Sequence, residues 1–374
     1  LTERRIVLTN DVIYGYALDA SWAVGGAERA QWLLARSLAA KDWDVKIGVR
    51  QRLEAGQSDV IDGVEFIGIG RGQVLKAGYR FLAKVKPGWW HWRGAEHWWG
   101  PAVELARLNG VKTIFAAAFD TDVIPRKALS RRKRWWPVYA WGLERTDRIL
   151  LQHRSQFDNL APRWQEKARL LMGTVEIPPA VTPHSQRDRY IAWVGVLREP
   201  KRPDLLIEFA RKLPEVRFVV CGGVSTHRTG PEYSKRIVEG LQSTPNIEYL
   251  GQVSPEKSLQ IIRNAAILLS TSTMEGFPNV FLEAWAGGTP VVSTFLDPDD
   301  LIQKHGLGIA GKGTEETCTT LPGLIESVEW RQAIGDRTRQ YAISHHSSEV
   351  VAVGLERAIA GDQELRLEAR ICRS

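Results

Sequence analysis

Sulfur is scarce in this chain, with three cysteines and two methionines in 374 residues. Cys221, Cys318 and Cys372 are scattered and odd in number, which excludes a disulfide framework and any zinc-ligand spacing. That usage points to a reducing, cytoplasmic setting. Long apolar runs are also missing. Without roughly 20 consecutive apolar residues no helix spans a bilayer, and the early Ile6-Val7-Leu8 is too short for the core of a signal peptide. Low-complexity stretches and fixed-period repeats are absent, which removes disordered, collagen-like, solenoid and propeller architectures. What remains is ordinary globular composition, 44% hydrophobic and 25% charged, at a length suited to two or three domains.

Charge and tryptophan are unevenly spread. Residues 1–181 carry 28 Lys and Arg against 19 Asp and Glu, so the whole net charge of +7 arises in the first half. Twelve of the 15 tryptophans precede residue 165, and eight lie between Trp89 and Trp141. Two clusters stand out: Trp89-Trp90-His91-Trp92 with Trp98-Trp99, and Arg131-Arg132-Lys133-Arg134-Trp135-Trp136. Cations beside amphipathic indoles suit an anionic membrane surface; buried indoles beside a solvated basic face are the alternative. No groove-reading motif accompanies the charge, so nucleic acid is not an expected partner.

Short apolar runs alternate with helix-forming stretches, the pattern of parallel sheets covered on both faces. Strands are expected at Arg5–Leu8, Val45–Val49, Val64–Ile67, Val111–Ala116 and Arg148–Leu151. In the second half they are expected at Tyr190–Leu197, Arg217–Cys221, Ile247–Leu250, Ala266–Ser270 and Pro290–Thr294. Ala27–Ala40, Leu205–Lys212, Ser254–Asn264 and Val280–Ala286 read as helices. The Ile177-Pro178-Pro179 stretch is the expected linker, because proline interrupts both helix and sheet. The expected fold is α/β, two Rossmann-like doubly wound domains facing across a cleft. The expected boundaries are 1–181, 182–340 and a tail, 341–374, packing back on the first domain.

The most informative segment is Ser270–Thr294, STSTMEGFPNVFLEAWAGGTPVVST. A strand runs into a Gly/Pro loop carrying Glu275, and a helix follows with Glu283 one turn inside. Ligands of open α/β sheets bind beyond the carboxyl ends of the strands, and a helix start offers free N–H groups and a positive dipole end to phosphate. Carboxylates placed there suit hydroxyl-rich ligands. Arg198 and Lys201 follow the first strand of the second half and would add two cations at the same sheet edge. Gly25-Gly26, ahead of the first long helix, permits close backbone approach.

EGFPNVFLEAWAGGTPVV, the Arg198-x-x-Lys201 pair and Gly25-Gly26-Ala27-Glu28 together resemble glycosyltransferase family 4, retaining enzymes of the GT-B fold that use nucleotide sugars. The resemblance runs in order over about residues 5–345. It implies that Glu275 and the amides of Gly276, Phe277 and Asn279 hold the donor sugar and diphosphate, and that Glu283 binds the ribose. It implies further that Arg198 and Lys201 clamp the phosphates, that Gly25 and Gly26 line the diphosphate, and that the helix at Arg331–Ser344 crosses back to the first domain. No metal and no cofactor is implied beyond a UDP- or GDP-type co-substrate. The expected acceptor is a glycan or lipid-linked saccharide, with the protein peripheral at the inner face of the membrane.

The chain departs from the family pattern at several places. Phe119 stands where members often carry His, followed by Asp120, which either contacts a sugar or caps a helix. His91 matches a position where the family often has His, and both His91 and Asp120 are acceptor-side candidates. His153 stands where Ser is common, and Pro179-Ala180 replaces Asn-Gly. Gly68-Ile69-Gly70-Arg71-Gly72 has the wrong glycine spacing for a dinucleotide fingerprint, and no clear crossover helix is expected after it. Asp120-Thr121-Asp122 and Asp297-Pro298-Asp299-Asp300 resemble carboxylate pairs for a metal, yet each sits in a polar, turn-rich stretch that reads as a solvated loop, and His345-His346 has no Cys or carboxylate neighbour at zinc-ligand spacing. Two other functions fit the same pattern: a GT-B epimerase or sugar-phosphate synthase, and a non-catalytic glycan-binding or assembly protein.

Overall fold

The computed structural model describes residues 4–20, 25–129, 132–224, 230–362 and 365. The expectations placed on Arg131 and Cys372 lie outside the described residues. The chain divides into two units, one running to Thr174 and resuming at Ser348, the other Val175–Ser347.

In the first unit the strands are β1 (Arg5–Thr9), β2 (Asp44–Val49), β3 (Ser58–Ile61), β4 (Val64–Gly68), β5 (Trp89–Arg93), β6 (Lys112–Ala116), β7 (Arg148–Leu151) and β8 (Ala168–Leu170). They pair in the order β3-β4-β2-β1-β5-β6-β7-β8. Every pair is parallel except β3 with β4. Apolar clusters cover both faces, as a parallel sheet requires. Five of the clustered tryptophans do this work rather than facing a membrane: Trp89, Trp90 and Trp99 are buried, and Trp92 packs edge-on against Trp98 at 4.7 Å.

Three expectations need correction here. The strand β5 was not among those expected, because WWHWR shows no apolar–polar alternation and resembles a surface cluster of indoles, yet it lies at the centre of the sheet between β1 and β6. A helix does follow Gly68–Gly72, at Val74–Val85, and it connects β4 to β5. The division between units falls before the proline stretch, not at residue 181. Val175 pairs with Ser347 as a parallel bridge, and Arg339 donates to Pro178 O at 2.7 Å, so the prolines belong to the second unit.

The second unit contains β9 (Tyr190–Val194), β10 (Arg217–Cys221), β11 (Ile247–Tyr249), β12 (Ile267–Ser270), β13 (Val291–Ser293) and β14 (Gly308–Ala310). They form an all-parallel sheet in the order β11-β10-β9-β12-β13-β14. The helix expected to cross back, Val328–His346, instead stays in this unit, burying Tyr341 and Ala342 against the Asn279–Ala286 helix. The segment that rejoins the first unit is the Ser348–Ala360 helix. Its Val351, Ala352, Leu355 and Ala358 are buried in the same cluster as Trp32 and Leu34 of the Gly26–Ala39 helix.

Candidate functional site

Strand order reverses between β9 and β12, since β10 lies on one side of β9 and β12 on the other. Loops leaving the carboxyl ends of such strands diverge and leave a crevice, the usual ligand site of open α/β sheets. The loop after β9 carries Arg198 and Lys201, and the loop after β12 carries Glu275. The structure brings these three side chains together. The Lys201 ammonium contacts Glu275 Oε1, and Arg198 Nη2 lies 3.9 Å from Glu275 Oε2. Glu275 and Lys201 are largely buried, at 10% and 14% side-chain exposure, while Arg198 is more open at 33%.

Backbone bonds fix one loop to the other. Thr273 N–H donates to Pro200 O at 2.9 Å, and Thr271 Oγ1 donates to Lys201 O at 2.7 Å. Trp193 Nε1 in turn donates to Thr271 Oγ1 at 2.9 Å, anchoring the arrangement in the sheet. Arg202, also basic, is turned away from this cluster by its paired hydrogen bonds to Asp204. At the end of β10, a Cβ on Gly222 would run into Gly195 O, so glycine is needed for the strand ends to approach.

The Asn279–Ala286 helix starts directly after this loop, and Pro278 at its N-cap makes no side-chain capping bond. Its first-turn amides therefore lack the side-chain oxygen that usually satisfies them, and its positive dipole end points to the same crevice as Lys201. Gly276 is buried and Asn279 half-buried. The Phe277 ring is committed to packing, with Trp285 at 6.2 Å and His346 at 5.9 Å, so only its backbone is available to a ligand. Glu283 is half-buried one turn along. At the end of β13, Ser293 Oγ and Thr294 Oγ1 are buried without hydrogen-bond partners among the described residues.

Gly25, Gly26, His91 and Asp120 lie in the first unit. Gly25 has φ +121°, a conformation that favours glycine, and precedes the Gly26–Ala39 helix. His91 ends up in the central strand β5, 4% exposed, with no hydrogen-bond partner for Nδ1 among the described residues. Burial, helped by the Arg93 charge, pushes its pKa down to about 4, so the ring is neutral at pH 7. Asp120 does not cap a helix; that place is taken by Asp122 Oδ2, which accepts from the N–H groups of Ala118 and Phe119 at 2.8 and 3.0 Å. Asp120 instead sits 2.8 Å from His153 Nε2 and accepts from Ser155 Oγ at 3.3 Å. This Asp120–His153 pair was not legible beforehand. It arises because β6 and β7 are neighbours, with Ala116 opposite Leu150, so loops 33 positions apart emerge side by side.

Among the described residues no group of three or more His, Cys, Asp or Glu could hold a metal ion. Asp297 accepts from the N–H groups of Ile302 and Gln303 at 2.8 and 3.1 Å, and His345 stacks on Tyr341 at 4.4 Å. No helix among the described residues is long and apolar enough to cross a membrane.

Residues 176–305 match the family described as glycosyl transferases group 1. The D-inositol 3-phosphate glycosyltransferase of Mycolicibacterium vanbaalenii is 24% identical over 75% of this chain and 67% of its own length. The protein of that name from Mycobacterium sp. (strain JLS) is 31% identical over 54% of this chain and 48% of its own. The chain thus spans about half to two thirds of these relatives. In fold it is similar to sucrose-phosphate synthase from Thermosynechococcus elongatus, with a TM-score of 0.73 at 16% identity, covering 99% of this chain and 100% of that one. It is also similar to Anabaena HepE in complex with UDP-glucose, with a TM-score of 0.71 at 12% identity, covering 95% and 99%. The architecture is GT-B.

Proposed function

We propose that the chain transfers a glycosyl group from a nucleotide-diphosphate sugar to an acceptor hydroxyl, with retention of anomeric configuration, a reading supported by the match of residues 176–305 to glycosyl transferases group 1. The carrying observation is the convergence of Arg198, Lys201 and Glu275 on the strand-order reversal beside the start of the Asn279–Ala286 helix. In this reading the diphosphate of a UDP- or GDP-sugar lies against the first-turn amides and the two cations. Glu275 orients Lys201 and accepts hydroxyl groups of the donor sugar, and Glu283 receives the ribose.

The chemistry follows from charge. As the glycosidic bond to the diphosphate lengthens, negative charge grows on the leaving oxygen, and fixed cations and amides stabilise it more than they stabilise the ground state. The leaving phosphate then takes the acceptor's proton on the same face of the sugar, which preserves configuration and calls on no metal. Proton NMR of the product formed from an α-linked donor tests this: an α-linked product supports the reading and a β-linked product rejects it.

A peripheral position at the inner face of the cell membrane, with a lipid-linked or cell-surface glycan as acceptor, is favoured by one surface. Arg132, Lys133 and Arg134 are exposed beside Trp135, which is 39% exposed and lies under the Arg134 guanidinium, and Trp141, 42% exposed, lies under that of Arg145. Indoles left in solvent next to cations are what an anionic lipid surface recruits.

A further inference from the structure

The Asn279–Ala286 helix, whose start faces the crevice, ends in an arrangement that its own residues do not supply. A helix end carries partial negative charge on its last carbonyls, and cations in the last turn usually offset it. This helix has no basic residue there; its last turn holds Glu283 instead. The carbonyls of Glu283, Ala284 and Trp285 accept from the N–H groups of Gly287, Thr289 and Gly288, with Gly288 left-handed at φ +66°. The next three carbonyls are each met by a side chain from elsewhere in the unit. Arg339 Nη1 donates to Ala286 O at 2.8 Å, and Arg187 Nη2 donates to Gly287 O at 2.7 Å. His184 Nε2 lies 2.8 Å from Gly288 O, which can only accept.

Both arginines are also tied down on their other nitrogens. Arg187 Nε and Nη1 donate to Thr182 O and Thr289 Oγ1, each at 2.8 Å, and Arg339 Nη2 donates to Pro178 O. Every oxygen they meet is neutral, and among the described residues neither forms an ion pair with a carboxylate. Arg187 is 6% exposed. Burial, with the Arg331 charge nearby, pushes its pKa down to about 10, so it stays charged at pH 7. Asp336, the one carboxylate whose charge is felt at Arg187, is exposed and accepts from Gln332. A buried cation without a carboxylate is costly. Glycines alone end a helix, as Gly287 and Gly288 do here, so the two arginines exceed what stopping this helix requires.

We propose that Arg187 and Arg339 are positioning residues for the donor diphosphate: they hold the Asn279–Ala286 helix by its carboxyl end and reinforce the positive potential at its amino end. The inference rests on the glycosyltransferase reading of the crevice. The helix has 8 residues and so rises about 12 Å. At that separation, in an effective dielectric of about 20, one buried charge alters the binding of one anionic charge about tenfold. Close packing brings Arg339 into place. A Cβ on Gly335 would lie 2.5 Å from Gly288 O and 2.7 Å from His184 Nε2, so the Val328–His346 helix needs glycine there to approach the end it caps.

Calorimetric titration of the full chain with UDP, GDP and their monophosphates tests the proposal. Arg339→Met, at a half-buried position, and Arg187→Met are each expected to weaken binding of the preferred diphosphate about three- to tenfold, and of its monophosphate by less. Arg339→Lys and Arg187→Lys keep the charge and are expected to recover most of the loss. Arg189→Met removes an exposed cation paired with Glu326 in the same unit and is expected to change nothing. Urea unfolding checks that each variant is folded; should Arg187→Met not be, the two Arg339 variants decide. Methionine variants within about twofold of the unaltered chain, equal losses for diphosphate and monophosphate, or lysine variants no better than methionine each overturn the proposal. If the unaltered chain binds neither UDP nor GDP, the donor reading falls and takes this inference with it. Diphosphate binding that depends on Lys201 but not on Arg187 or Arg339 leaves the donor reading standing and removes this one.

Discussion

Replacing Lys201 by methionine separates what that residue does for the fold from what it does for the reaction. Its ammonium contacts Glu275, whose side chain is 10% exposed, and Arg198 remains 3.9 Å from the same carboxylate. Removing one partner of a fully buried ion pair costs about 3 to 5 kcal/mol. Here Arg198 still attracts the carboxylate by about 4 kcal/mol at an effective dielectric of 20, so a smaller loss of about 2 kcal/mol is expected. Turnover suffers separately. Loss of one preorganised donor to a developing negative charge lowers kcat about 10²- to 10³-fold. Adding Glu275→Gln removes the stranded charge, so Lys201→Met/Glu275→Gln should regain most of the lost stability but none of the lost turnover. Urea unfolding and donor-turnover assays on the three proteins decide the matter. If the single variant keeps kcat within about threefold, or the double variant recovers turnover together with stability, Lys201 serves the fold alone and the mechanism is wrong.

Three further expectations are independent of that one. His184 Nε2 lies 2.8 Å from Gly288 O, and burial, with the nearby Arg187 charge, pushes its pKa down to about 4. Above pH 6.5 it is neutral folded or unfolded; below that the unfolded chain binds the proton first. Stability should therefore fall between pH 6.5 and about 4, by roughly 3 kcal/mol from this residue, and His184→Gln should flatten that part of the urea-measured profile. An unchanged pH slope in the variant would contradict it. Gly142→Ala places a Cβ 2.7 Å from Gly100 N and from Trp99 Cδ1, where the Trp99–Leu108 and Trp136–Arg145 helices meet. A loss of about 1 to 3 kcal/mol in unfolding free energy is expected, and an unaltered transition would show that the helices separate freely. Finally, the chain should float with vesicles containing phosphatidylglycerol and not with neutral ones. Reversing Arg132, Lys133 and Arg134 to Glu should abolish flotation, since each cation contributes about 1 kcal/mol; flotation indifferent to lipid charge would remove the membrane reading.

The sequence was readable where local chemistry and final position agree. β9, β10 and β12 are short apolar runs between polar turns, and they became the central strands of the second sheet. The Gly-Phe-Pro loop before an apolar helix pointed to the Arg198–Lys201–Glu275 cluster because its glycine, proline and charged residues each had a mechanical reason to be there. Reading failed where tertiary context overrode composition. Trp89–Arg93 resembled a surface cluster of indoles and cations, yet it is a central strand buried between β1 and β6. The short strands β3, β8 and β14 carry too few residues to show a period. The Asp120–His153 pair depends on which strands become neighbours, and no local pattern encodes that.

The central claim is that the crevice after β9 and β12 holds a nucleotide diphosphate. A crystal structure of the chain grown with UDP or GDP tests it most directly. Diphosphate density is expected against the first-turn amides of the Asn279–Ala286 helix, within hydrogen-bonding distance of Lys201 and Arg198. Nucleotide density elsewhere, with Lys201 and Glu275 still joined as before and nothing beside that helix, would contradict it.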